Sequence, residues 1–321
     1  MKTFLKILAG LVGLLVVLAI GGYAWASIAS SRKLARIYQA HDVDFPIPFP
    51  LSESEAAGVP EAERAQAALA RAVERGRHLV QSRYVCIECH GKDFGGGTMV
   101  DAFPLGTIKG PNLTGGRGSR TADYRPADWD HIVRHGILPD GRPAAMPSED
   151  FQLMSDQELS DIVSYIKSVP AVDNEVTTVA LGPLGKVLVA TGELPLAVER
   201  IGDHNTPHAT VPPPTEATLE FGRHLTAICT GCHRADLSGG PIVGGDPGWP
   251  PARNLTPHAD GLSNWTYENF VHALREGQRP DGTPLRAPMS FVTPYARNMS
   301  ETELQAIWAY VKSVPAMPTS K

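Results

Sequence analysis

The four cysteines of this 321-residue chain occur in two copies of one short motif. Residues 86–90 and residues 229–233 both read C-x-x-C-H. This pattern is typical of covalent haem attachment, in which both thiols form thioethers with haem vinyl groups and the histidine is then placed beneath the iron. The sequence therefore predicts two haems. Their covalent bonds are formed by Cys86, Cys89, Cys229 and Cys232, and their irons are coordinated by His90 and His233.

Three other uses of paired cysteines fit the motif less well. A zinc site takes all four ligands from Cys or His, and an all-cysteine site would need both copies to fold together and leave both histidines unused. A thioredoxin-like redox pair is expected near a βαβ unit, which neither copy resembles. A structural disulfide does not require a histidine at the same place twice. Haem attachment accounts for the motif best.

Two methionines repeat together with the motif and predict the second axial ligand of each iron. Met146 and Met289 both lie 56 residues after the motif histidine, in the proline-containing loops RPAAMP and LRAPMS. Met154 and Met299 are also repeated and are the alternative ligands. Each of them directly precedes a serine that we expect to cap a helix, where an apolar residue usually packs as a hydrophobic staple.

The remaining histidines are expected to have ordinary roles. His78 and His224 repeat on the first helix of each half, and we expect them at its surface or bonded to a haem propionate. His131 and His272 also repeat, and we expect packing or surface roles; ligation of iron by either pair is the alternative. The histidines without a repeated partner are predicted to be surface or packing residues: His41, His135, His204, His208 and His258.

The motifs belong to a longer duplication. The stretches GRHL, NLT and DG and the closing pattern (S/A)-Y-(I/V)-K-S-V-P recur in the same order, at offsets of 141 to 146 residues. This predicts two copies of one domain, residues 70–171 and 216–317.

Each copy is predicted to be mainly α-helical. A first helix rich in strong helix formers precedes the cysteines, and Gly76 is expected to cap or bend it. A shorter middle helix follows. The last helix begins with an S-x-x-E capping box and ends before a proline. The loops between these helices are rich in Gly and Pro, so we expect a large apolar group to fill the centre.

The segments outside the two domains have distinct compositions. Residues 1–31 carry no charge from Ile7 through Ser31, a run long enough to span a bilayer at about 20 residues. We predict an uncleaved anchor in the inner membrane, with a signal peptide cleaved after Ala24-Trp25-Ala26 as the alternative. Residues 32–69 are expected to form an extended spacer leading away from the membrane and then the start of the first helix. Residues 172–215 are the predicted connector, with a short helix packed between the domains.

Net charge limits the classes of partner. The chain has a formal charge of −5. Without a basic excess, nucleic acid is not an expected partner.

Both halves resemble class I cytochrome c domains, through C-x-x-C-H, the methionine and proline loop, and the pattern of the last helix. The whole chain resembles the membrane-anchored dihaem cytochromes c that accompany bacterial periplasmic dehydrogenases. The resemblance implies two covalent haem c groups, haem domains in the periplasm, and one-electron transfer with redox partner proteins such as a dehydrogenase, another cytochrome or an oxidase.

An electron carrier is therefore expected rather than an enzyme. The alternative is a dihaem enzyme resembling cytochrome c peroxidases, which needs one iron open to peroxide. Two equivalent methionines would close both irons and argue against it.

One stretch departs from the pattern of that family. A proline in GPNL commonly supports the axial histidine through its backbone carbonyl, and the first domain has this proline as Pro111. The second domain reads ARNL from Ala252, with Pro251 displaced. This leaves the support of His233 open.

Overall fold

The computed structural model describes residues 1–321 and begins with a long apolar helix, α1 (Lys2–Leu34). By length and composition alone this helix could cross a membrane, a property that signal sequences share. Most of its side chains are exposed, as expected of a surface that contacts lipid, but Ala26 and Ser30 near its end are buried. The last turns of α1 therefore pack against the rest of the protein.

The first cytochrome-like repeat contains five helices and two strands. In chain order they are α2 (Glu53–Ala56), α3 (Arg64–His78), α4 (Cys86–His90), β1 (Gly97–Ala102), β2 (Gly106–Gly110), α5 (Pro126–His135) and α6 (Asp156–Ser168). A π-helical turn, Leu79–Arg83, continues α3, and 3-10 turns cover Glu61–Glu63 and Ser148–Phe151.

The connector contains strand β3 (Val179–Leu181) and helices α7 (Pro183–Thr191) and α8 (Ala197–Arg200). The second repeat follows with five helices. They are α9 (Leu219–Thr226), α10 (Thr230–His233), α11 (Tyr267–Glu276), α12 (Thr293–Ala296) and α13 (Glu301–Ser313). Its 3-10 turns are Ala227–Cys229 and Met289–Val292.

In each repeat the first and last helices cross at a glycine. A Cβ atom on Gly76 of α3 would lie 1.9 Å from the backbone oxygen of Asp161 in α6, so no larger residue fits there. In the second repeat, a Cβ on Gly222 of α9 would lie 2.0 Å from the oxygen of Ala306 in α13. The expectation that Gly76 caps its helix is wrong: α3 runs through it, and the missing side chain permits close backbone approach.

Both predicted capping boxes form. Ser155 and Ser300 each accept a hydrogen bond from the backbone N–H three residues on, and Glu158 and Glu303 accept one from the serine N–H. The apolar side chains of these last helices then face separate cores, one of 13 buried residues in the first repeat and one of 9 in the second. The predicted mainly helical fold is confirmed.

A small sheet adds to the helices. Strands β1, β2 and β3 pair antiparallel in that order, with Gly97 opposite Gly110 and Gly106 opposite Leu181. The sheet joins the loop after the first motif to the connector. The sequence prediction did not include it.

Both connecting segments pack on neighbouring elements. The spacer packs on the first domain: Phe45 is buried in the first core, and Ser160 Oγ donates to the oxygen of Pro46 at 2.7 Å. The connector helix α7 packs against α1 rather than between the domains. Lys186 Nζ there lies 3.4 Å from the hydroxyl of Tyr23.

Candidate haem sites and the interface between them

Both C-x-x-C-H motifs fold as short helical turns. Helix α4 covers the first motif, and the turn Ala227–Cys229 leads into α10 in the second. Side chains three residues apart on a helical turn share a face, so the two thiols of each motif can reach one flat group. All four thiols are free.

Each motif histidine is held by a single backbone carbonyl. His90 Nδ1 donates to the oxygen of Pro111 at 3.2 Å, and His233 Nδ1 donates to that of Arg253 at 2.6 Å. Because a carbonyl only accepts, Nδ1 carries the hydrogen and Nε2 keeps its lone pair for a metal. Burial lowers the pKa of both rings, which favours this neutral form.

These contacts answer the question raised by the ARNL stretch. The supporting group is a backbone carbonyl, and any residue at that position can present one. Arg253 therefore supports His233 as Pro111 supports His90.

The two repeated pairs of methionines differ in their surroundings. Met154 is 2% exposed in the first core, and its carbonyl accepts a hydrogen bond from Arg134 Nη1 at 2.9 Å. Met299 packs against the second core, and its carbonyl accepts one from Arg275 Nη2 at 3.0 Å. Met146 is partly buried against the first core, and Met289 is partly buried at the start of a 3-10 turn. Iron ligation by Met146 and Met289 stays a prediction.

One buried polar atom fits a bound group in the first domain. The indole of Trp129 is 3% exposed in the first core, and its Nε1–H has no hydrogen-bond partner. A buried donor left unpaired costs about 1–3 kcal/mol. An acceptor on a bound cofactor would account for this side chain.

The two motifs meet the opposite domain across an interface with approximate two-fold symmetry. Tyr295 of α12 donates its hydroxyl to Glu88 inside the first motif at 2.8 Å. On the other side, Gly231 inside the second motif packs so closely on Asp150 that a Cβ would lie 2.1 Å from Oδ1. Glu88 and Gly231 occupy equivalent positions of the duplication, and Asp150 and Tyr295 both lie in the loop between the two repeated methionines of their own half.

The same symmetry relates two histidine–glutamate pairs. His78 Nε2 lies 2.9 Å from Glu303 Oε1, and His224 Nε2 lies 2.9 Å from Glu158 Oε1. Arg83 bridges both pairs, with Nη1 at 3.2 Å from Glu158 and Nε at 2.5 Å from Glu303. Burial alone would raise the pKa of Glu303, but the hydrogen bond from His78 and the charge of Arg83 outweigh it and lower this pKa to about 2.

The two repeated first-helix histidines differ in exposure. The His78 side chain is 42% exposed, which agrees with the expected surface position, whereas that of His224 is only 8% exposed. Both hydrogen-bond the capping-box glutamate of the opposite domain. In each box one carboxylate oxygen caps its own helix and the other faces the partner domain. These pairs fix how the two domains sit on each other.

The structure also gathers most of the histidines that lack a repeated partner. His41, His135, His204 and His208 lie together beside α5, whereas His258 lies apart near Asp260. Burial lowers the pKa of His135 to about 3 and that of His208 to about 4, so both rings are neutral at pH 7. Ordinary surface or packing roles do not describe this cluster. The signal in the sequence was that these histidines have no counterpart in the duplication.

Comparison with protein families agrees with the duplication. Residues 71–166 match the family described as cytochrome c oxidase, cbb3-type, subunit III, and residues 221–315 match the family described as cytochrome c. The chain thus contains two cytochrome c domains in tandem.

Relatives of known function cover most of this chain. It is 28% identical over 289 residues to the cytochrome c subunit of the quinone alcohol dehydrogenase of Gluconacetobacter polyoxogenes. The matched region covers 79% of this chain and 60% of that subunit. It is 27% identical over 278 residues to the gluconate 2-dehydrogenase cytochrome c subunit of Pantoea cypripedii, at 78% and 61% coverage. The chain spans about three fifths of the length of these relatives.

Among solved structures, a match is found to reduced recombinant cytochrome c4 from Pseudomonas stutzeri. The identity is 20%, the coverage is 76% of this chain and 98% of that one, and the TM-score is 0.20. A score this low carries no argument about the arrangement of the domains.

Proposed function

We propose that this chain is a dihaem c-type cytochrome that carries single electrons in a periplasmic respiratory or dehydrogenase-linked chain. One observation carries the proposal: each C-x-x-C-H turn holds its histidine by an Nδ1–H bond to a backbone carbonyl, which leaves Nε2 free. Cys86 and Cys89 would bind one haem c, and Cys229 and Cys232 the other. When bound, haem iron supplies a one-electron couple.

The axial ligands in this proposal are His90 with Met146 and His233 with Met289. Methionine paired with histidine raises the reduction potential of haem iron. With both positions of each iron taken by side chains, neither site is open to a substrate. The proposed role is therefore electron transfer and not catalysis.

The interface supports passage of electrons between the two domains. Both motifs contact the opposite domain, through Glu88 and Gly231. The buried pairs of Glu158 and Glu303 hold these contacts in one geometry. We infer that an electron entering one domain passes to the other within the chain.

The names of the relatives support a dehydrogenase as the electron donor. We propose that this chain is the electron-transfer subunit of such a complex and passes electrons to another cytochrome or an oxidase. Helix α1 would anchor it in the bacterial inner membrane, with both haem domains in the periplasm.

The test is the haem content and spin state of the full chain exported from a host that matures c-type cytochromes. Mass spectrometry should find two haem additions, and a Cys86→Ser/Cys89→Ser variant should keep one, as should Cys229→Ser/Cys232→Ser. Optical spectra should be low-spin in both oxidation states. A mass without haem would overturn the proposal, and a high-spin component with turnover of peroxide would favour the peroxidase alternative.

A further inference from the structure

Four side chains from three separate segments converge beside α5, away from the C-x-x-C-H motifs. His41 belongs to the extended segment after α1, Asp130 and His135 belong to α5, and His208 belongs to the connector. Their ligand atoms all lie within 4.8 Å of one another. Asp130 and His135 are fully buried, and the His208 side chain is 9% exposed.

Hydrogen bonds outside the cluster fix the tautomer of two of its rings. His208 Nδ1 donates to the backbone oxygen of Gln152 at 2.9 Å. His41 Nδ1 donates to the backbone oxygen of His204 at 3.3 Å. Since a carbonyl oxygen only accepts, each Nδ1 carries the hydrogen and each Nε2 presents a lone pair to the centre.

The third ring is fixed through a neighbouring histidine. His204 Nε2 donates to the backbone oxygen of Val198 at 3.1 Å, so its Nδ1 is an acceptor. His135 Nδ1, at 3.0 Å, must then donate to it, and His135 Nε2 also presents a lone pair. An outer hydrogen bond that orients the ring in this way is typical of metal-binding histidines.

The facing lone pairs require a positive centre between them. His135 Nε2 and His208 Nε2 are 3.0 Å apart, although neither carries a hydrogen to share. Asp130 Oδ2 lies 3.6 Å from His135 Nε2, and the other oxygen of Asp130, Oδ1, lies 3.7 Å from His208 Nε2. Ligand atoms bound at about 2.0–2.1 Å around a tetrahedral Zn²⁺ stand roughly 3.3 Å apart, within the range of these separations.

Two atoms of the cluster have no other partner. His41 Nε2 and Asp130 Oδ2 are buried without a hydrogen bond. The other oxygen of Asp130 accepts a bond from Arg134 Nε at 2.6 Å, and Arg134 Nη2 is also paired with Asp156 at 2.8 Å. These two carboxylates and one guanidinium carry a net negative charge, which favours a bound cation.

We propose that His41, Asp130, His135 and His208 bind one divalent first-row transition-metal ion, and that Zn²⁺ is the ion this set fits. Imidazole and carboxylate ligands suit Zn²⁺, and structural zinc sites take all four ligands from the protein. The ion clamps the segment after the anchor helix and the connector to α5. Its role is structural, and it is separate from the two haem irons.

The test uses the full chain with both haems, prepared without a polyhistidine tag, treated with a chelator and dialysed against Zn²⁺. Elemental analysis should find one zinc for every two irons, and calorimetric titration with Zn²⁺ should show one site. His208→Gln should weaken that binding at least about 100-fold, and His204→Ala, which removes the acceptor that orients His135, by about 10–100-fold. His258→Gln, at a histidine outside the cluster, should leave it unchanged.

Stability gives an independent measurement if His208→Gln accumulates poorly. A ligand that binds only the folded state raises the midpoint of thermal unfolding, so Zn²⁺ should raise it for the wild type but not for His41→Gln. Wild-type protein with intact haem spectra that retains no zinc overturns the proposal. So does binding that survives His208→Gln and His41→Gln, since the ion would then lie elsewhere.

Discussion

Single side chains in this protein serve two partners at once. Glu158 and Glu303 each close a capping box with one carboxylate oxygen and bond a histidine of the opposite domain with the other. His90 and His233 likewise donate from Nδ1 to a backbone carbonyl and leave Nε2 free for the proposed iron. Within each of these side chains, different atoms have different roles.

The axial ligands can be tested one domain at a time. We predict that Met146→Leu and Met289→Leu each remove the methionine-to-iron charge-transfer band of their own haem and lower its reduction potential, because the thioether is lost. A potentiometric titration followed by optical spectra measures both effects. Leucine conserves the volume of methionine, so packing should change little.

Met154→Leu and Met299→Leu are the matched controls. Both residues stand before a capping serine and pack on a core, so both haem spectra should remain as in the wild type. If a control variant loses the charge-transfer band while Met146→Leu or Met289→Leu in the same domain keeps it, the control residue is the ligand of that domain.

At the scale of elements, each domain depends on one helix crossing. Helices α3 and α6 approach so closely at Gly76 that backbone meets backbone, and α9 and α13 repeat this at Gly222. The loops between these helices include the C-x-x-C-H turn and the predicted methionine loop. The crossing therefore positions the loops that contain the predicted haem ligands.

Gly76→Ala should destabilise the first domain strongly. A methyl group 1.9 Å from the oxygen of Asp161 forces α3 and α6 apart, and overpacking typically costs about 1–3 kcal/mol and occasionally more. Chemical denaturation followed by circular dichroism measures the loss. Gly115→Ala, where no atom lies within 4 Å of the added carbon, should change stability by less than about 0.5 kcal/mol. Equal midpoints for both variants would contradict the role given to the crossing.

In the whole molecule, contacts between residues far apart in sequence join the two domains. Similar contacts hold the spacer and the connector against neighbouring elements. The interface contains the paired glutamates, two histidines and Arg83. The end of α1 packs on α7, and Lys33 lies 3.6 Å from Glu199 beyond it. The proposed anchor is thus attached to the connector by contacts and not only by the chain.

The interface should make stability depend on pH under acid conditions. The pKa of Glu303 is about 2 in the folded protein against 4.5 for an unperturbed glutamate. Its folded-state pKa is depressed, so its contribution is complete above about pH 4.5 and is lost as the pH falls toward 2, by roughly 3 kcal/mol. Unfolding free energies measured across this range should therefore fall less steeply in Glu303→Gln, which keeps an oxygen for the cap.

Glu301→Gln is the control for that experiment. It lies in the same first turn of α13, and its side chain is 54% exposed. Its acid profile should follow the wild type. A Glu303→Gln profile that also follows the wild type would show that the buried pairs do not contribute in this way.

Membrane anchoring is tested by shortening α1. Full-length protein should remain in the membrane fraction. A protein without residues 1–21, exported by a cleavable signal, should be soluble with unchanged haem spectra, because Tyr23, Ala26 and Ser30 still pack on the rest of the chain. Recovery of the native protein as a soluble form beginning at Ser27 would show cleavage after Ala24-Trp25-Ala26 instead.

The sequence alone determined the features that depend on neighbouring residues. The C-x-x-C-H motif, the serine caps and the duplicated helices are set by spacings of a few positions or by self-similarity, and both can be read along the chain. The two cytochrome c domains and the mainly helical fold followed from these patterns. The carbonyl that accepts the hydrogen bond from His233 could not be predicted in this way, because every residue type has a backbone carbonyl.

Only the tertiary structure decided the contacts between distant segments. His78 and Glu303 are 225 positions apart, and His41 meets a carbonyl 163 positions away. No periodicity links such residues, so the inter-domain pairs, the histidine cluster and the docking of the spacer were not predicted. Each forms because folding brings buried polar groups together, and a buried polar group must find its partner wherever the chain presents one.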